Sequence, residues 1–322
     1  MLKPTGLDRV ALRASFNAKA EAADRAEFLL SDVERRLDER LDYMKLPTVA
    51  RVLDLGCGLG RSLPVLARRF PDAELLALDF AELPLQARRR VSDQARRGLR
   101  GLLSRLRERE RTRQPVWLAA DAHQLPLAAD SVDVIWSNLA FHWFDDPLAV
   151  LAECHRVLKP NGLLIFSAFG VDTCRELRAE STRMLLDRPG VPTAGQVEGE
   201  HGRVPNSGTG AGGDSHSPAP RATWPSFQDM HDWGDAMVGA GLEAPVMDAE
   251  RLRLSYRTPE ALAADMQALG FPHCADAFVP LLSVELVFGH AWVPVQKGQR
   301  ARKARPDGLA PIHFIRRKGG KP

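Results

Sequence analysis

Three acids and three closely spaced glycines stand where they could hold a small ligand. The stretch Arg51-Val-Leu-Asp-Leu-Gly-Cys-Gly-Leu-Gly60 runs a short apolar strand into glycines at alternate positions, Gly56, Gly58 and Gly60. Glycine lets the backbone turn sharply and approach a ligand closely, because it has no side chain and tolerates positive φ. Asp54 immediately precedes this turn, and Asp79 follows 25 residues later, at the end of a second apolar run, Glu74-Leu-Leu-Ala-Leu. An acid at the tip of a second strand accepts hydrogen bonds from both hydroxyls of a ribose. Asp121 closes a third run, Val116-Trp-Leu-Ala-Ala-Asp121, where its carboxylate or the amide of Ala122 could meet an adenine edge. Aspartate is also common there simply as a loop cap.

The glycine spacing narrows the choice of nucleoside. A dinucleotide fingerprint reads G-x-G-x-x-G, with a helix start cradling a pyrophosphate. Here the third glycine comes one residue early, and Arg61 occupies its place. Asp54 suits an ammonium better than a phosphate. S-adenosyl-L-methionine has no phosphate but carries an ammonium, a sulfonium, a ribose and an adenine. The pattern of two apolar residues, Asp54, then Gly56, Gly58 and Gly60, resembles the first motif of class I S-adenosylmethionine-dependent methyltransferases. Asp54, Gly56, Gly58, Gly60, Asp79, Asp121, Ala122 and Asn138 are accordingly the candidate cofactor-binding residues.

The acceptor side is expected in Ser137-Asn-Leu-Ala-Phe-His-Trp143, which leaves a fourth apolar run. Asn138 can place an amide at the mouth of the site, and Trp143 offers a flat apolar wall. His142 is the tempting general base, although a lone histidine is commonly a satisfied structural residue. Asn138, His142 and Trp143 are the catalytic candidates. Arg175 and Arg178 follow a fifth run; arginine suits carboxylate recognition, yet each also fits a solvated helix face.

These residues need a frame that brings strand ends together. Strands are expected at 51–55, 74–79, 116–121, 132–138 and 163–169, with helices between them, one of them at 147–158. Lys159-Pro-Asn-Gly162 reads as a stop. The βαβ alternation argues for an α/β fold with a doubly wound, Rossmann-like, mostly parallel sheet. Residues 227–239 and 259–269 read as helices, and 251–256 and 284–292 as antiparallel edge strands, with a helical cover over the site. Residues 1–47 form a helical leader ending at Pro47, in which Phe16, Phe28, Leu29, Val33 and Leu37 recur at helical spacing. Residues 48–322 form the methyltransferase domain. It carries a basic insert at 88–113, with eleven arginines, and a Gly-, Ser- and Pro-rich insert at 187–225 that is expected to be disordered. A short final strand is expected at 312–315.

The net charge is only +3 over 322 residues, and 44% of the chain is hydrophobic. Its four cysteines, Cys57, Cys154, Cys174 and Cys274, have no paired or metal-like spacing and read as reduced thiols. No metal, nucleic acid or membrane partner is expected, and a cytoplasmic protein is.

Leu125-Pro-Leu, Ser137-Asn-Leu-Ala-x-x-Trp143 and Gly289-His-Ala-Trp292 together resemble the malonyl-acyl-carrier-protein O-methyltransferases of biotin synthesis. The resemblance implies methylation of the free carboxylate of a malonyl thioester on acyl-carrier protein, hiding its charge from fatty-acid synthesis enzymes. That acidic carrier would suit the basic insert at 88–113. The leader departs from the family in lacking a pocket tyrosine, its first being Tyr43. Ala168-Phe-Gly-x-Asp-Thr-x-x-Glu-Leu-Arg178, with Ser255-Tyr256, is similar to a methyltransferase-like assembly factor of respiratory complex I, associated with protein arginine hydroxylation. A cofactor-binding interaction protein without catalysis is the third reading.

Overall fold

The computed structural model describes residues 2, 7, 9–18, 27–82, 114–179, 224–225, 227–272 and 278–295. In chain order the elements are α1 (Arg9–Ala18), α2 (Glu27–Leu41), β1 (Arg51–Leu55), α3 (Leu63–Arg69), β2 (Glu74–Asp79), β3 (Val116–Ala119) and β4 (Val132–Ser137). There follow a 3₁₀ turn (Phe141–Trp143), α4 (Pro147–Val157), β5 (Leu158–Phe169), α5 (Met230–Gly239), β6 (Glu243–Ser255), α6 (Pro259–Ala268) and β7 (Leu281–Trp292).

The seven strands lie in the order β3-β2-β1-β4-β5-β7-β6. The first five are parallel, and β7 and β6 add on antiparallel. Strand order reverses between β1 and β4, and a crevice opens at the carboxyl ends of strands at such a switch point. The glycine turn leaves β1 there, and the Asn138–Trp143 segment leaves β4 beside it.

Alternation along each strand builds two core layers. Val52, Val134, Trp136 and Leu163 face one way and pack with Leu29, Val33, Leu37 and Leu41 of α2. Leu53, Ile135 and Leu164 face the other way and pack with Val150, Leu151 and Cys154 of α4 and Trp233 and Met237 of α5. Side chains two apart share a face of a strand, so a run apolar at every position is one covered on both sides. The spacing of four in α2 lays its apolar residues along one stripe. The leader is thus part of the core through α2.

The two antiparallel strands are longer than their apolar runs suggest, β6 at thirteen residues and β7 at twelve, and only β6 is an edge, β7 lying between β5 and β6. β6 alternates exposed and half-buried side chains as an outer strand does, and its polar positions hid its first half. Lys159-Pro-Asn-Gly162 does turn, yet lies within β5. Val132 pairs with Leu158 and Val134 with Leu163, so residues 159–162 loop out of the ladder, with Asn161 at a φ of 62°. The insert at 88–113, the strand expected at 312–315, and all of the insert at 187–225 but Trp224 and Pro225 fall outside the described residues; Trp224, expected to be disordered, packs against the core.

Candidate functional site

The glycine turn is clamped onto β2. The N–H groups of Gly56 and Cys57 both donate to the carbonyl of Leu78, at 2.8 and 3.0 Å. The Gly58 N–H donates to Asp79 Oδ2 and the Ala81 N–H to Asp79 Oδ1, each at 2.8 Å. Burial raises the Asp79 carboxyl above its ordinary range, and the amides of Ala81, Gly58 and Phe80 offset part of that rise. Two of the three glycines are required by packing. A Cβ on Gly56 would stand 2.3 Å from that of Ala140, and one on Gly60 2.6 Å from the Trp117 ring, both at positive φ.

A cavity of about 210 Å³ opens over this turn. Asp54, Gly56, Gly58 and Asp79 line one end of it, Asp121 and Ala122 a second part, and Asn138, His142 and Trp143 a third. Gly60 stands behind the wall, against Trp117. Nine of the ten residues proposed from sequence for cofactor binding or catalysis therefore line one cavity.

Asp54 is the telling group. It is 2% exposed, and its Oδ2 has no hydrogen-bond partner. Burial pushes its carboxyl well above the usual range, and the charges of Glu34 and Asp79 push it further. A buried acid without a partner is costly unless a ligand completes it. An ammonium group would supply both the charge and the hydrogen bonds, so the donor set fits S-adenosyl-L-methionine. Glu34, on α2, was not foreseen; among polar neighbours on a helix it reads as a solvated residue. Burial raises its carboxyl too, against a hydrogen bond from Ser62.

At the second part, Asp121 Oδ1 accepts from the His123 N–H at 2.9 Å and lies 2.7 Å from His123 Nδ1. Arg9 of α1 pairs with the other oxygen. His123 Nε2 lies 2.8 Å from Asp145 Oδ1 and also accepts the Asp146 N–H at 3.3 Å. The imidazole therefore stands between the carboxylates of Asp121 and Asp145. Burial lowers the pKa of His123, Asp145 opposing that shift and Arg9 adding to it.

Helix α1 closes the cavity with Arg9, Leu12 and Phe16. The Phe16 ring stands edge-on to Phe80 at 5.8 Å and to Trp143 at 5.2 Å. Helical spacing marked Phe16 as inward-facing, but spacing alone could not show that it faces the site.

At the third part, Asn138 has both ends of its amide engaged. Its Nδ2 donates to the Leu30 carbonyl at 3.1 Å, and its Oδ1 accepts from the Ser167 hydroxyl at 2.8 Å. Leu139 takes a φ of 51°, a strained conformation of the kind that gathers at functional sites. His142 is buried and its pKa is lowered to about 3 by desolvation, so it is neutral at physiological pH. Arg175 pairs with Asp172 at 3.7 Å, and Arg178 donates to the Val171 carbonyl; neither lines the cavity.

A profile described as a methyltransferase domain matches residues 53–166, from β1 through β5. A malonyl-[acyl-carrier protein] O-methyltransferase of Methylovorus sp. is 33% identical over 96% of this chain and 95% of its own length. One from Laribacter hongkongensis is 35% identical over 95% and 96%. The chain belongs to the malonyl-[acyl-carrier protein] O-methyltransferase family. It is an S-adenosyl-L-methionine-dependent methyltransferase with the Rossmann-like architecture described above. Among solved structures, a Haemonchus contortus phosphoethanolamine N-methyltransferase aligns at a TM-score of 0.46 and 14% identity, over 82% of this chain and 52% of its own.

Among the described residues no group of histidine, cysteine and acids is placed to hold a metal ion, and no helix is long and apolar enough to cross a membrane. Cys57, inside the glycine turn, is buried and its thiol is pushed well up by desolvation, which suppresses the reactive thiolate.

Proposed function

We propose that this methyltransferase esterifies the free carboxylate of a malonyl group carried on acyl-carrier protein, as a step of cytoplasmic biotin synthesis. The observation that carries the reading is the near full-length match to relatives named for that reaction. The resemblance to the complex I assembly factor gains nothing from them. Asp54 is read as the partner of the cofactor ammonium, Asp79 as the acceptor of the ribose hydroxyls, and Asp121 with the Ala122 amide as the adenine contacts. Gly56 and Gly58 keep the turn open to the ligand, and Gly60 holds that turn against Trp117.

When bound, S-adenosyl-L-methionine supplies an electrophilic methyl group on a sulfonium. The protein has little acid–base work to do, because a carboxylate is already an ionised nucleophile at neutral pH. Alignment and exclusion of water matter more. Phe16, Trp143 and Phe169 provide apolar walls, and Asn138 braces β4, β5 and α2 at the point where acceptor and donor meet. His142, neutral and buried, is unsuited to be a base.

The test is incubation with S-adenosyl-L-methionine labelled in its methyl group and malonyl-acyl-carrier protein. Formation of the labelled methyl ester, and rescue of a biotin-requiring strain lacking its own enzyme, are the expected results. Cofactor binding with no methylated product would overturn the reading in favour of a non-catalytic interaction protein.

A further inference from the structure

We propose that the Nε2–H of His142 is a fixed hydrogen-bond donor that holds one oxygen of the acceptor carboxylate and leaves the other to attack. The inference rests on the function proposed above and assigns a substrate-positioning residue to it. Its basis is an orphaned proton. The backbone N–H of Phe169 points at His142 Nδ1 at 3.4 Å. A backbone amide can only donate, so Nδ1 is the acceptor, and the hydrogen of the neutral ring sits on Nε2. Nε2 is buried and has no acceptor, although a buried donor without a partner costs free energy that a protein rarely leaves unrecovered.

The surroundings explain why a ligand is the missing acceptor. His142 lines the cavity at the end shared with Trp143, Phe169 and Gly270. The rings nearest it, Phe169 at 4.8 Å and Trp143 at 5.2 Å, are tilted by 58° and 47° to it and carry no lone pair to offer. Asn138 is held by Leu30 and Ser167, so the protein and not a ligand fixes its amide, whereas His142 Nε2 has no such partner. Gly270 packs closely between Trp143 and Phe16 here. A Cβ built on Gly270 would lie 3.0 Å from the Trp143 ring and 3.5 Å from that of Phe16.

The chemistry asks for a donor that keeps its proton. A carboxylate oxygen forms the bond to the methyl carbon, the carbon–sulfur bond breaks with its electron pair going to sulfur, and no proton moves. A neutral imidazole N–H can orient the carboxylate without neutralising it. A protonated histidine would hold the nucleophile's charge too tightly, and the burial that keeps this ring neutral avoids that.

The test compares His142→Phe, which keeps a flat ring but loses the donor, with His142→Gln, whose amide restores an N–H. His142→Phe is expected to lower kcat/KM for malonyl-acyl-carrier protein by roughly ten- to a hundredfold, with S-adenosylhomocysteine affinity unchanged, and His142→Gln to recover most of the loss. In the wild type bound to S-adenosylhomocysteine, adding S-malonyl-N-acetylcysteamine should move the His142 Nε2–H proton resonance downfield. Unchanged turnover in His142→Phe, equal losses in both variants, or an unmoved resonance would each overturn the assignment while leaving the proposed function standing. A wild type that does not methylate malonyl-acyl-carrier protein would overturn both together.

Discussion

The Asp79 carboxylate accepts the Gly58 N–H at 2.8 Å, so the acid at the end of β2 holds the glycine turn that leaves β1. The same carboxylate holds Ala81 with its other oxygen. One residue thus shapes the cofactor turn and presents the remaining lone pairs to a ribose.

Replacing Asp79 separates these two duties. Asp79→Asn keeps one carbonyl oxygen but loses the second acceptor and the charge, and Asp79→Ala loses everything. Hydrogen bonds to a charged group contribute about 1.5–3 kcal/mol each. We expect cofactor affinity to fall by roughly ten- to a hundredfold in Asp79→Asn and further in Asp79→Ala, measured by calorimetric titration. Near-normal affinity in the alanine variant would place the ribose elsewhere.

Asp54 makes a prediction about pH. In the free protein its buried carboxyl keeps a proton above its ordinary value of 3.8, whereas in the unfolded chain it is ionised there. The folded state then binds more protons, so this group's contribution to stability falls as pH rises from about 4 toward the raised native value. Asp54→Asn removes that penalty together with the ammonium partner. The free variant should melt at a higher temperature than wild type at pH 8 and match it more closely at pH 4, while S-adenosylhomocysteine should stabilise only the wild type. Cofactor affinity of the wild type should strengthen with rising pH as Asp54 gives up its proton. A variant that melts lower at pH 8 would mean that Asp54 is paired within the protein.

The parts of the site legible in sequence are those whose chemistry is local. Asp54, the glycines and Asp79 sit at strand ends, and their spacing is set by one β-α-β unit, so position along the chain translates directly into position in space. Asn138, His142 and Trp143 were legible as a place for the same reason. Their states were not. That Asn138 is spent on Leu30 and Ser167, and that Phe169 fixes the tautomer of His142, depends on residues 108, 29 and 27 positions away. Arg9, Phe16 and Glu34 were missed as site residues because helical periodicity shows which face is inward, never which element it meets. The sheet core was legible in its apolar runs, and the outer strand β6 only in part, since half its side chains face solvent.

Gly60 tests the packing side of the motif. A methyl group there would stand 2.6 Å from the Trp117 ring and 2.8 Å from Leu63, at a φ of +72°. Backbone strain of this kind costs about 1–3 kcal/mol, and overpacking adds to it. Gly60→Ala should lower the urea midpoint of unfolding clearly, whereas Gly239→Ala, at the end of α5 with nothing within 4 Å of its Cβ, should not. Because Gly60 stands outside the cavity, any Gly60→Ala protein that remains folded at low temperature should retain more cofactor affinity than Asp79→Ala. Equal stability of the two glycine variants would show that β3 gives way freely to the glycine turn.

Helix α1 rests on two kinds of contact with very different strengths. Arg9–Asp121 and Arg13–Glu82 join partly exposed side chains, and exposed ion pairs contribute about 0–1 kcal/mol and weaken with salt. Phe16 instead sets its ring edge-on against Phe80 and Trp143, and aromatic pairs of this geometry add about 0.5–1.5 kcal/mol beyond the area they bury. The apolar wedge should therefore govern closure. Phe16→Ala should raise the cofactor KM by several-fold and admit water to the acceptor end, lowering kcat as well. Arg9→Ala should have a smaller effect that disappears in 1 M salt, where wild type and variant converge. Since α2, and not α1, carries the core stripe of the leader, neither substitution should shift the melting temperature of the free enzyme by more than a few degrees. Steady-state kinetics at low and high salt, beside melting curves of the same proteins, checks all three expectations, and an Arg9→Ala effect larger than that of Phe16→Ala would reverse the assignment of the latch.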